Sequence, residues 1–123
     1  MYLAGGKYTD ALQQYQRALK KNPEAAYAWN NMAWIWGNHE PKDFEKALNA
    51  ADQAIKLNPD PRFYETRGQI KIKLERWQDA IEDLETALNG TIPNAKQVHG
   101  DIARCYEELG DHEQASAHRK MAA

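Results

Sequence analysis

The chain has 123 residues, of which 42% are hydrophobic, 10% aromatic and 28% charged, with a single Cys. The length fits one domain of the common size of about 100–150 residues, the lone Cys excludes an intrachain disulfide, and four Trp with six Tyr exclude a disordered composition. Sixteen Lys and Arg against 18 Asp and Glu give a net charge of −2, which supplies no electrostatic footprint for nucleic acid or an anionic membrane.

The N-terminal stretch MYLAGGKYTD lacks the basic and long apolar regions of a signal peptide. The most apolar run, AAYAWNNMAWIW, is broken by Asn30 and Asn31, and it falls short of the roughly 20 apolar residues a spanning helix needs. A soluble, cytoplasmic protein is therefore the default expectation. Apolar periodicity predicts helices over residues 8–21, 24–38, 41–57, 61–74, 77–88, 95–109 and 112–121. Pro41 suits the first position of the third of these helices.

Four segments repeat: GKYTDALQQYQRAL from Gly6, KDFEKALNAADQAI from Lys42, ERWQDAIEDLETAL from Glu75 and GDHEQASAHRKMAA from Gly110. Their shared Ala falls at Ala11, Ala47, Ala80 and Ala115, spaced by 36, 33 and 35 residues. A second Ala follows seven positions later each time, at Ala18, Ala54, Ala87 and Ala122. Three residues before the first Ala stand Tyr8, Phe44, Trp77 and His112. The intervening segments AYAWNNMAWIW, PRFYETRGQIK and KQVHGDIARCY also share a layout. Each has an early ring (Trp29, Tyr64, His99) and a small residue four later (Ala33, Gly68, Ala103). Pro23, Pro59 and Pro93 close the units.

This layout resembles the tetratricopeptide repeat, a helix–turn–helix unit with small residues at fixed columns and a closing proline. The resemblance implies an all-α, right-handed superhelical solenoid of antiparallel helix pairs in one domain. Its partial first repeat covers 1–25, the second 26–60, the third 61–94 and a shortened fourth 95–123. The small columns fit helices that cross closely. Tyr2 matches the eleventh position of the first repeat. The second repeat carries two extra residues in its inner turn, GNHEPKD. Lys71 takes the aromatic eleventh position of the third repeat, which predicts looser packing there.

Helical phase then sorts the faces. Positions four, seven, eight and eleven of each first helix share one side; in the second repeat these are Trp29, Met32, Ala33 and Trp36, expected in the core. Positions two, five, six and nine lie opposite. In the family that side lines a concave peptide groove. The expected groove residues are Tyr27, Asn30, Asn31 and Trp34 in the second repeat. Arg62, Glu65, Thr66, Gln69 and Lys73 follow in the third, and Gln97, Gly100, Asp101 and Arg104 in the fourth. Trp34 is the anchor to expect, because a large ring off the core phase is the kind of side chain that dominates interfaces. Tyr27 supplies a second amphipathic ring, and an amide such as Asn31 can both donate to and accept from a peptide backbone. Some family members clamp the terminal carboxylate of acidic chaperone tails with Lys, Asn and Arg. Here Asn31 matches and Arg62 is a basic substitute, but Thr66 stands where Arg is required and the first two clamp positions would precede Met1, so that clamp is not expected.

The remaining chemistry-bearing residues read as structural. Cys105 lies beside the core stripe and reads as a small buried hydrophobe. His99, Cys105, His112 and His118 show no metal-ligand spacing, and His99 and His112 read as substitutes for packing rings. Glu82–Asp83 and Glu107–Glu108 diverge by about 100° on their helices and read as solvated faces. No phosphate-cradling Gly loop or nucleophile elbow is present. The expectation is a non-catalytic module without cofactor or metal that binds a protein or peptide partner, and neither nucleic acid nor membrane. The alternative is self-assembly through Leu12, Tyr15 and Leu19, the apolar strip left uncovered by an incomplete first repeat.

Overall fold

The computed structural model describes residues 5–39 and 42–123. Among them are seven helices and no strand: α1 Gly5–Lys21, α2 Ala26–Asn38, α3 Phe44–Leu57, α4 Pro61–Lys73, α5 Trp77–Leu88, α6 Ala95–Glu108 and α7 His112–Ala122. Tyr2 and Pro41 lie outside the described residues. The third helix starts at Phe44, three residues later than the sequence suggests, because Asp43 caps it. Its backbone is extended (φ −143°), and its side chain accepts a hydrogen bond from the Lys46 N–H at 3.1 Å. The chain forms two compact units, Met1–Pro59 and Asp60–Ala123.

In the N-terminal unit α2 packs between α1 and α3; in the C-terminal unit α4 pairs with α5, α6 with α7, and α5 also meets α6. One backbone device closes the inner turns of the second, third and fourth repeats. The N-cap residue of the second helix donates its N–H to the carbonyl at the eleventh position of the first. These bonds are Asp43 to Trp36, Arg76 to Lys71 and Asp111 to Tyr106, each 2.9 Å. The closure spans seven positions in the second repeat and five in the third and fourth, so it accommodates the two extra residues. Glu75 (φ 60°) and Gly110 (φ 81°) occupy equivalent left-handed positions in the last two turns, a conformation natural to Gly and strained for Glu.

The small columns sit where the helices cross. Ala33, Ala47, Ala54, Ala80, Ala87 and Ala115 are all fully buried. At Gly68 an added Cβ would lie 2.8 Å from the Leu84 side chain. Ala11, Ala18 and Ala122, in the first and last copies, are only half-buried.

The core phase is wider than the sequence suggests. Met32 and Ala33 are buried, but Trp29 and Trp36 are half-buried, with the Lys46 ammonium 5.7 Å from the Trp36 ring centre. Positions three and ten are buried instead: Ala28, Phe63 and Val98, then Ile35, Ile70 and Cys105. The physical reason is visible in α6, which is flanked on both sides. Its Val98, Ile102 and Cys105 join Ile81, Leu84 and Ile92 in one cluster, while α7 covers the adjoining face. A helix packed from two directions needs more than the single apolar stripe of a surface helix.

Two expectations are corrected by one interaction. Asp83 is 4% exposed, not on a solvated face. Arg67 grips it with both prongs, Nε to Oδ2 at 2.9 Å and Nη2 to Oδ1 at 2.7 Å. Lys71 adds its ammonium 2.9 Å from Oδ2. Lys71 therefore does not loosen the third repeat: it replaces a ring contact with an ion triad joining α4 to α5. Arg67 also stacks over Tyr64, 5.5 Å from the ring centre.

Candidate functional site

The face of α2 away from the core carries the N-terminal unit's exposed rings. Tyr27 is 56% and Trp34 44% exposed. Seven residues apart, they fall on one stripe two turns long. Ala28, Met32, Ala33 and Ile35, off that stripe, are buried, so packing of α2 fixes which way the rings point. Trp34 is braced at one edge by His39, with ring centres 4.8 Å apart, and His39 in turn stacks on Tyr8 at 3.8 Å. The Asn38 side-chain amide donates to the Trp34 carbonyl at 2.8 Å, holding the end of the helix beneath the ring. Asn30 and Asn31, between the two rings, are half-buried. The Asn30 Oδ1 and the His39 Nε2 are shut off from solvent and have no hydrogen-bond partner among the described residues.

The expected groove residues of the C-terminal unit behave differently, because most of their polar groups are already engaged. Arg62 turns back on Asp60, Nε to Oδ1 at 3.1 Å and Nη2 to Oδ2 at 2.9 Å, while the same carboxylate caps α4 by accepting from the Arg62 N–H. Hydrogen bonding to Arg62 holds the Asp60 carboxyl below its ordinary range. Thr66 donates to the Arg62 carbonyl. Gln69 donates to Asp101, and Asn94 to Glu65, so two side-chain bonds tie α4 to the start and middle of α6. Burial pushes the Asp101 carboxyl up, against the opposing influence of Gln69 and Arg104. Arg104 lies over Trp77 of α5, 5.6 Å from its ring centre. Gln97 and Lys73 are exposed. Leu12, Tyr15 and Leu19 of α1 are half-buried.

The structure brings together groups that sequence spacing did not reveal. His99 of α6 and His118 of α7 meet through their Nδ1 atoms at 3.0 Å. His112 does not substitute for a packing ring: its side chain is exposed and sits 3.0 Å from the Glu107 carboxylate. The Arg67–Asp83–Lys71 triad had one legible signal, two cations four residues apart on one helix face. Cys105 is fully buried, and its thiol is pushed up to about 11, chiefly by burial and then by Asp101, so it carries no thiolate at neutral pH. Among the described residues no three His, Cys, Asp or Glu side chains come together as a metal cage, and no helix is long and apolar enough to cross a membrane.

Stacked antiparallel helix pairs with Ala at their crossings, presenting polar and aromatic side chains from the first helices, define a helical-repeat protein. Residues 1–34 match the family model described as TPR repeat, and residues 65–118 the one described as Tetratricopeptide repeat. The chain belongs to the tetratricopeptide repeat family. It is 25% identical over 104 residues to the Hsp70-Hsp90 organizing protein of Triticum aestivum, covering 84% of this chain and 17% of that protein. It is 27% identical over 120 residues to the TPR repeat-containing thioredoxin TDX of Arabidopsis thaliana, covering 87% of this chain and 31% of that protein. The chain thus spans less than a third of each of these relatives. Among solved structures, a crystal structure of MamA superposes with a TM-score of 0.84 at 15% identity, over 99% of this chain and 74% of that one. MamA from Desulfovibrio magneticus RS-1 gives 0.80 at 21%, over 95% and 65%. These likenesses show the all-α TPR-like fold.

Proposed function

We propose that this chain is a non-catalytic protein-interaction module that holds an extended peptide or a helix of a partner protein against the outer face of α2. The observation that carries the reading is the pair of large exposed rings, Tyr27 and Trp34, on one stripe of a helix whose opposite side is buried. Asn31 between them offers an amide to a partner's backbone. Arg62, Thr66, Gln69, Asp101 and Arg104 serve a lesser role, because internal bonds and stacking already engage them. The names of the Hsp70-Hsp90 organizing proteins support a protein-assembly role for this kind of repeat. The test is selection of peptides from a displayed random library on the intact chain. Those peptides should lose about 30-fold in affinity for Trp34→Ala, the scale of an interface hot spot, with the circular-dichroism melt unchanged. Equal binding to wild type and to the Trp34→Ala, Asn31→Ala double variant would reject the site.

The second reading is self-assembly through α1. It rests on Leu12, Tyr15 and Leu19, which sit on one stripe of α1 and stay half-buried.

A further inference from the structure

We propose that the His99–His118 contact is an acid-sensitive latch that holds the last helix, α7, onto α6 at neutral pH and releases it as the pair takes up a second proton. The proposal is independent of what the α2 face binds. Its basis is the way the two rings meet. The Nδ1 atoms are 3.0 Å apart and the ring centres 5.2 Å, a separation that places the two nitrogens between the rings, pointing at each other. One Nδ1 must then carry a proton and the other a lone pair. A single extra proton is tolerated, since an imidazolium N–H still finds a neutral acceptor. A second leaves two donors and two positive charges face to face, and the contact opens. The surroundings reinforce this. Tyr106 of α6 stacks on His118 with centres 5.7 Å apart. The counter-charge acting on His118 is Glu85 of α5, whose carboxylate accepts from the Tyr106 hydroxyl at 3.4 Å and only partly offsets burial and the His99 repulsion.

The packing of α7 on α6 is as extensive as in the α2–α3 and α4–α5 pairs, and the Asp111 N–H bond to the Tyr106 carbonyl closes the turn between them, but few side chains of α7 are buried. Its one fully buried side chain is Ala115. Ala122 reaches to within 3.9 Å of where a Cβ on Gly100 would stand. A further side-chain tie is Glu107, which takes Arg119 at 2.6 Å and His112 at 3.0 Å. Arg119 and His112 hold the Glu107 carboxyl below its ordinary range, so it stays charged between pH 7 and pH 5. His118 is held below 6.5, first by burial and then by His99. A histidine whose folded pKa is lowered stabilises the fold fully above its unfolded value, and that contribution drains away as pH falls through 6.5. Release bares the α6 face that carries His99 and Tyr106.

Hydrogen exchange on the full chain tests the latch. Protection factors of α7 amides should fall by about tenfold between pH 7 and pH 5, since one proton excluded from the closed state shifts its equilibrium about tenfold per pH unit below the histidine range. Those of α2 and α3 should hold. His99→Gln keeps a hydrogen-bonding group but removes the second charge, and should reduce the fall to less than about twofold. If His99→Gln disrupts folding, the wild-type chain still decides the matter by its histidine proton resonances. The His118 resonance should follow a two-step curve rather than a single one. Flat α7 protection in wild type, equal loss in wild type and His99→Gln, or a single-step His118 curve would each overturn the latch.

Discussion

Asp83 illustrates how much a single buried side chain decides in so small a fold. With two cations around it and almost no exposure, it completes an ion triad that only works whole. Asp83→Ala leaves Arg67 and Lys71 facing each other under α5 and should cost about 3–5 kcal/mol, read as a shift in the urea midpoint. Replacing all three residues by apolar ones of similar volume should cost much less. At Glu75 the strain runs the other way. Its positive φ is the one Gly110 adopts without penalty in the next repeat, so Glu75→Gly should stabilise the protein by about 0.5–1 kcal/mol, visible as a raised Tm. Cys105 should resist thiol reagents in the native state and react only as the chain unfolds, because its thiol is buried and shifted upward.

At the scale of an element, caps and close approaches set where helices begin and how near they come. Asp43, Asp60 and Asp111 each accept a backbone N–H at a helix start. Asp43→Ala should cost about 1 kcal/mol, checked by thermal melting. Asp60 adds a pH signature. Its folded pKa is lowered by Arg62, so its contribution is complete above its ordinary value of 3.8 and is lost as pH falls through the lowered value. Asp60→Asn should flatten the acid limb of the stability profile in that range. The junction after α5 is tighter than any in the small columns, since a Cβ on Gly90 would stand 2.2 Å from Pro61 Cγ. Gly90→Ala should therefore destabilise more than Gly68→Ala, whose clash is with the movable Leu84 side chain; paired melting curves decide it.

For the whole molecule the question is which apolar surface is left for others. Tyr27 and Trp34 are exposed and Leu12, Tyr15 and Leu19 half-buried, so peptide capture and self-association call on different faces. Light scattering across a concentration series separates them. A monomeric mass at high concentration counts against assembly through α1. A dimer abolished by Leu12→Asp with Leu19→Asp, but not by Trp34→Ala, would assign association to α1 and leave the α2 face free.

The sequence by itself determined the repeat, the number and order of the helices, and the outward aim of Trp34 and Tyr27. Those follow from local periodicity and from Ala and Gly recurring where backbones must approach, both of which are written along the chain. Only the tertiary structure decided the partners. That Asp83 turns inward to Arg67 and Lys71, that Arg62 is spent on Asp60, that Cys105 and Phe63 are core while Trp29 and Trp36 are half-open, and that His99 faces His118 all depend on what meets across or beside helices, the paired side chains standing 2 to 19 positions apart. A helical period fixes the angle at which a residue leaves its own helix. What stands at that angle is fixed by the neighbouring helices, and α6, flanked on two sides, shows why a one-face reading of an interior helix falls short.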